Sequence, residues 1–130
     1  MLTVLTTDEC LALLGSVPMG RVGISINALP LVLPVNFVVV DGDVVFRTVM
    51  GTKFHAASEG AVLAFEADDW EPSGNSGWSV AIQGKSAVVT DPIELERLAG
   101  LTTESWALDG AADRFVRIRS VTTTGRRFQR

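Results

Sequence analysis

Between Gly20 and Thr48 the chain reads as extended runs separated by tight-turn signals, and no other stretch limits the fold so strongly. Arg21-Val22-Gly23-Ile24-Ser25-Ile26 alternates in the period-two pattern of a strand with one buried face. Asn27-Ala28-Leu29-Pro30 supplies a turn, and Leu31 to Val40 continues as a long strand. Asp41-Gly42-Asp43 is a two-residue hairpin signal, because Asp and Gly tolerate the left-handed backbone such a turn requires. Val44 to Thr48 then follows as the paired strand. Pro34 has no N–H to give to a ladder, so its position predicts a sheet edge or a bulge.

The flanking segments extend the same pattern. Thr6-Thr7-Asp8-Glu9 has the spacing of a capping box, in which the Thr6 hydroxyl accepts from the Glu9 N–H and Glu9 reaches back. The helix it opens carries Cys10, Leu11, Leu13, Leu14 and Val17 and is stopped by Gly15 and Pro18, with Cys10 as a small core residue. A two-turn helix is expected over Phe54 to Ser58, a strand over Ala61 to Ala67 and a polar loop over Glu71 to Gly77. Trp78 to Val89 reads as a long strand kinked at Gly84, Asp91-Pro92 as the start of a helix over Ile93 to Leu98, and Arg114 to Arg119 as the final strand. Six or so strands with short helices make a mainly β fold. Val-rich edges left open would aggregate, so the strands should close into a small antiparallel barrel. The 130 residues, 47% of them hydrophobic, suit one domain spanning residues 1–130.

Charge and composition narrow the partners. A net charge of −4 leaves no basic field for nucleic acid. One Cys and one His are too few for a disulfide or a structural zinc site, which fits a cytoplasmic protein with no metal. No apolar run reaches the ~18 residues of a membrane span, and Met1 to Leu5 lack a charged leader region, so neither membrane nor export is expected.

Phe46-Arg47-Thr48-Val49-Met50-Gly51-Thr52-Lys53 is the segment richest in chemistry. It gathers a guanidinium, hydroxyls, an expected helix N-terminus and an ammonium, the donors that a phosphate monoester takes. From spacing alone, ordinary surface charges explain it as simply. Six of the eleven Lys and Arg lie in the last seventeen residues. Arg117 and Arg119 share a strand face that can meet a phosphate or the acidic run Glu66, Asp68, Asp69 and Glu71, with solvated or salt-bridged charges as the plainer reading. His55 has no adjacent nucleophile and suits a helix surface or an interface, while Trp70 and Trp106 fit core, interface or ligand contact alike.

Taken together, Gly20-Arg21-Val22, Leu33-Pro34-Val35-Asn36, Val45-Phe46-Arg47-Thr48 with Gly51-Thr52-Lys53, Trp78-Ser79-Val80 with Gly84-Lys85, and Val116-Arg117-Ile118-Arg119 resemble the pyridoxamine 5′-phosphate oxidase-like flavin-binding split barrels. The resemblance covers nearly the whole chain and is closest to the short actinobacterial-type members. It implies a six-stranded antiparallel split β-barrel with FMN held between the subunits of a homodimer. Arg47, Thr48, Thr52 and Lys53 would hold the phosphate. Pro34, Val35 and Asn36 would line the isoalloxazine, and Trp78 and Ser79 would reach it from the second long strand, often across the interface. An FMN-dependent oxidoreductase of a small-molecule substrate is the activity implied. The deazaflavin F420 in the same groove, or a flavin-binding or interaction protein without turnover, are the alternatives. The basic and aromatic C-terminal residues of the true oxidase have no counterpart here, so oxidation of pyridoxamine 5′-phosphate is not expected.

Overall fold

The computed structural model describes residues 1–48, 59–101 and 114–130. The expected helix over 54–58, and with it Thr52, Lys53, His55 and Trp106, lies outside them. The elements run β1 (Leu2–Val4), α1 (Thr7–Leu14), β2 (Met19–Ile26), β3 (Leu29–Val40), β4 (Asp43–Thr48), β5 (Val62–Trp70), β6 (Ser76–Val88), α2 (Pro92–Leu101) and β7 (Arg114–Gln129). All pairings are antiparallel. The order β7-β4-β3-β2-β5-β6 closes on itself through β6–β7 into a ring of six strands, with β1 attached outside β7. This is the expected split barrel.

Local chemistry sets the corners. Asn27 and Ala28 take φ of 52° and 64°, so the β2–β3 turn is these two residues and Leu29-Pro30 already belong to β3. Asp41 and Gly42 do the same between β3 and β4, with φ of 51° and 81°. Pro34 lies opposite Arg21 in a β2–β3 register without a break, beyond the stretch of β3 that β4 pairs. It marks an edge, as its missing N–H requires, and not a bulge. The register of β6 against β7 shifts at Gln83/Gly84, where the kink was expected.

Inside the ring, alternate residues of every strand fill the interior, as small barrels require. Val22, Phe37, Phe46, Phe65, Ile82 and Ile118 meet there, Phe37 and Phe65 edge to face at 4.7 Å. Helix α1 adds Cys10 and Leu14, both fully buried, to this cluster. Its capping box is formed: Glu9 N–H donates to Thr6 Oγ1 at 3.2 Å and Thr6 N–H to Glu9 Oε1 at 2.9 Å. Burial pushes the Cys10 thiol up, so it stays protonated and serves packing.

A second, smaller cluster lies on the outside of β3, β4 and β7, where Val40, Val45 and Phe115 receive Leu98 of α2. Asp91 caps that helix by accepting from the Glu94 N–H at 3.3 Å. Arg117 fastens it to the sheet. Its Nε donates to Asp43 Oδ2 at 2.9 Å, its Nη2 to the Val40 carbonyl at 3.3 Å, and Glu94 stands 3.6 Å from Nη1. Arg117 is thus salt-bridged, the plainer of the readings its sequence offered, and its partners are Asp43 and Glu94 and not the acidic run Glu66 to Glu71. No helix among the described residues is long and apolar enough to cross a membrane.

Two elements exceed the sequence expectation. The final strand does not stop at Arg119 but runs 16 residues to Gln129, and β1 pairs with its far end, Leu2 opposite Phe128.

Candidate functional site

The two-residue period of β3 divides its site residues between two faces. Val35 and Phe37 point into the core, whereas Pro34 and Asn36 lie on the outer face. Val35, at 6% exposure, therefore has its backbone and not its side chain to offer a ligand outside the barrel.

Asn36 is held and yet incomplete. Its Nδ2 donates to Met19 Sδ at 2.9 Å and to the Pro18 carbonyl at 3.5 Å, while its Oδ1 is buried without a hydrogen-bond partner among the described residues. Turning the amide over would set its oxygen against the Pro18 carbonyl, so the amide nitrogen is held on the Pro18 side and the acceptor points away from it. Leaving a buried acceptor unpaired costs about 1–3 kcal/mol. An arriving N–H donor recovers that. Beside it, Gly15 to Pro18, Phe37, Val38 and Leu101 of α2 enclose a cavity of about 310 Å³.

Hairpin register places Arg47 directly opposite Asn36, on the same outer face. Its guanidinium lies 5.8 Å over the ring of Phe115, the residue opposite it on β7. A half-buried cation stacked on an aromatic face loses less order on binding an anion than a free surface Lys would. Thr48 follows at the end of β4. The structure thus brings Asn36 and Arg47 together, with Thr48 next in the strand and Pro34 next but one along β3.

Trp78 and Ser79 are elsewhere. They are the third and fourth residues of β6, which faces β3 across the ring with β2 and β5 between them on one side and β4 and β7 on the other. Trp78 is not an edge residue; it is 7% exposed and packs in the interior with Val80.

The grouping that sequence reasoning missed lies on the outer face of β2 and β5. Arg21 Nη1 is 3.2 Å from Glu66 Oε1 and 3.9 Å from Asp68 Oδ1, so it is Arg21 that meets the acidic run for which the sequence had offered Arg117 and Arg119 as one alternative. Pro34, Arg21 and Glu66 form one row across three strands. The carboxyl of Glu66 is pushed up to about 7 by burial and then by its hydrogen bond with, and repulsion from, Asp68, against the opposing pull of Arg21. The signal was the sequence Arg21-Val-Gly facing two carboxylates at i and i+2, but only the strand order shows that β2 and β5 are neighbours.

That shift predicts a pH effect. A carboxyl whose pKa rises on folding binds its proton more tightly in the folded protein, so its stabilising contribution is complete below about 4.5 and is lost as pH rises through about 7. Glu66→Gln keeps the shape and removes the titration. Its melting temperature should match wild type near pH 4.5 and exceed it at pH 8, as thermal unfolding by circular dichroism would show; parallel curves would refute the assignment.

The family model described as pyridoxamine 5′-phosphate oxidase matches residues 6–127. An uncharacterised protein of Mycobacterium tuberculosis is 40% identical over 126 residues, covering 93% of this chain and 82% of that protein. Among solved structures, the FAD binding protein from Mycobacterium smegmatis superposes with a TM-score of 0.76 at 32% identity, covering 99% of this chain and 100% of that one. A candidate pyridoxamine 5′-phosphate oxidase from Corynebacterium glutamicum reaches a TM-score of 0.86 at 29% identity, covering 98% and 93%.

Proposed function

Because the chain belongs to the pyridoxamine 5′-phosphate oxidase family, we propose that it binds a flavin, FMN foremost, on the outer face of β3 and β4 and serves as an oxidoreductase of a small molecule. The observation that carries this reading is the pairing of an unsatisfied buried Asn36 Oδ1 with Arg47 in the adjacent register position. An isoalloxazine presents a ring N–H that fits the first, and a flavin phosphate is the anion that fits the second. A 32% identical relative being an FAD binding protein supports the flavin class.

Bound flavin supplies hydride or electron transfer at its own ring, so no strong acid or nucleophile is demanded of the protein. Asn36 would fix the ring edge, Pro34 would keep the neighbouring strand edge free of a donor, and Arg47 with Thr48 would anchor the phosphate end. Ser79 and the backbone of Trp78, whose side chain fills the interior, lie across the ring from β3 and would complete the site from a second copy of the chain in an isologous dimer.

Titration of the purified protein with FMN, followed by quenching of flavin fluorescence, tests the reading. Saturable binding at one flavin per chain is expected. Sedimentation of the FMN-bound protein should give a dimer at micromolar concentration, and a monomer would remove Trp78 and Ser79 from the site. Absence of flavin binding together with binding of F420 would move the protein to a deazaflavin role.

A further inference from the structure

The rim of the barrel where β5 turns into β6 carries a second pocket that shares neither Asn36 nor Arg47. It encloses about 540 Å³, within the roughly 300–1,000 Å³ of small-molecule sites. Trp70, Gly77 and Phe128 stand in register on three neighbouring strands, and the next row is Asp69, Trp78 and Arg127. The Trp70 indole lies over Gly77, in space that any β-carbon would occupy, and its ring is 6.1 Å from that of Phe128 at a tilt of 39°. Glycine at 77 thus lets two aromatic rings form a shelf, and Trp70 leaves 49% of its surface exposed on it. An exposed indole packed against backbone is a platform prepared for stacking.

The charges around the shelf select the ligand. Arg127 and Asp69, whose row faces the other side of the strands from the shelf, line the same rim pocket as Glu71, and Arg130 stands 5.8 Å over the Phe128 ring. An aromatic acid would use the arginine and be repelled by the carboxylates, and an aromatic cation would do the reverse. A nucleotide uses all of them: a base stacks, ribose hydroxyls and the exocyclic amine donate to carboxylates, and phosphate takes a guanidinium. We propose that this rim pocket binds the adenylate part of a nucleotide, its base on the Trp70–Phe128 shelf and its phosphate toward Arg127. Two sources share that chemistry: the adenylate end of FAD, which rests on the flavin reading above, and a separate nucleotide such as a nicotinamide dinucleotide electron donor, which does not.

The experiment uses the full chain and three probes. ADP is titrated into flavin-free protein with tryptophan fluorescence as readout, where it should bind saturably. Trp70→Ala should weaken it about tenfold or more, given the ~1–3 kcal/mol of one base stack. Arg127→Gln should weaken ADP while sparing adenosine. Trp70 is half exposed, so circular dichroism of its variant should be unchanged. FMN and FAD are then compared on wild type and Trp70→Ala. FAD binding at least tenfold tighter than FMN, with the preference lost in the variant, identifies the adenylate end of FAD; equal flavin affinities with ADP still binding the FMN-loaded protein identify a separate nucleotide. The proposal is overturned if ADP does not bind and FAD shows no preference over FMN, or if whatever binding is seen is indifferent to Trp70→Ala. The ADP titration needs no flavin, so failure of the flavin reading alone leaves its outcome distinct.

Discussion

Arg47→Ala is expected to weaken FMN about ten- to a hundredfold while leaving riboflavin nearly unaffected. A hydrogen bond to a charged group contributes about 1.5–3 kcal/mol, and each 1.4 kcal/mol is a factor of about ten in affinity. Riboflavin lacks the phosphate, so it reports on the ring half of the site alone. That comparison separates a lost anion contact from general damage, since Arg47 also stacks on Phe115 and pairs in the β4 ladder. Paired titrations of both ligands into wild type, Arg47→Ala and Lys53→Ala, with folding followed by circular dichroism, give the answer. Equal wild-type affinity for FMN and riboflavin would remove the phosphate anchor, and unchanged FMN binding in both variants would move the flavin away from this hairpin.

Gly84→Ala should be the most damaging methyl group that can be added to β6. A β-carbon at this position would press into the Arg119 carbonyl and against Ile118 Cγ2. The obstacle is backbone across a closed strand pair, at the point where β6 and β7 shift register. Neither strand can yield without opening its ladder. Overpacking of this kind costs about 3 kcal/mol, which for a chain of this size lowers the melting temperature by about 10 °C. Gly100→Ala is the control, because no described residue stands within 4 Å of a β-carbon there. Thermal unfolding that treats the two substitutions alike would mean that β6 and β7 separate easily at the bulge.

Features written in contiguous residues were legible before the structure. The capping box of Thr6 and Glu9, the Asp41-Gly42 turn, the kink at Gly84 and the Asp91 cap each depend on neighbours a few positions apart, and each is present. The same two-residue Asp41-Gly42 turn sets Asn36 opposite Arg47, because it fixes hairpin register. What failed needed knowledge of distant partners. Val121 to Gly125 look like a loop until β6 lies beside them, and Leu2 to Val4 become a strand only against the end of β7. Arg21 and Arg117 each had several acidic residues to choose from, and strand order decided between them. Trp78 was placed at the flavin, often across an interface, from the resemblance, whereas the barrel interior needs such a side chain to fill its end.

Strand β7 is the piece that joins β4 to β6 and also holds β1. On the ribosome it emerges after the other described strands, so until then β4 and β6 present unpaired edges built of valine, alanine and isoleucine. Ring closure must therefore wait until β7 has been synthesised, and up to that point the nascent chain is an open, adhesive sheet. Yield of the native protein in a cell should depend on how quickly that final stretch is delivered: slow codons placed after residue 101 would lengthen the sticky interval and favour aggregates, even with every residue of the product unchanged.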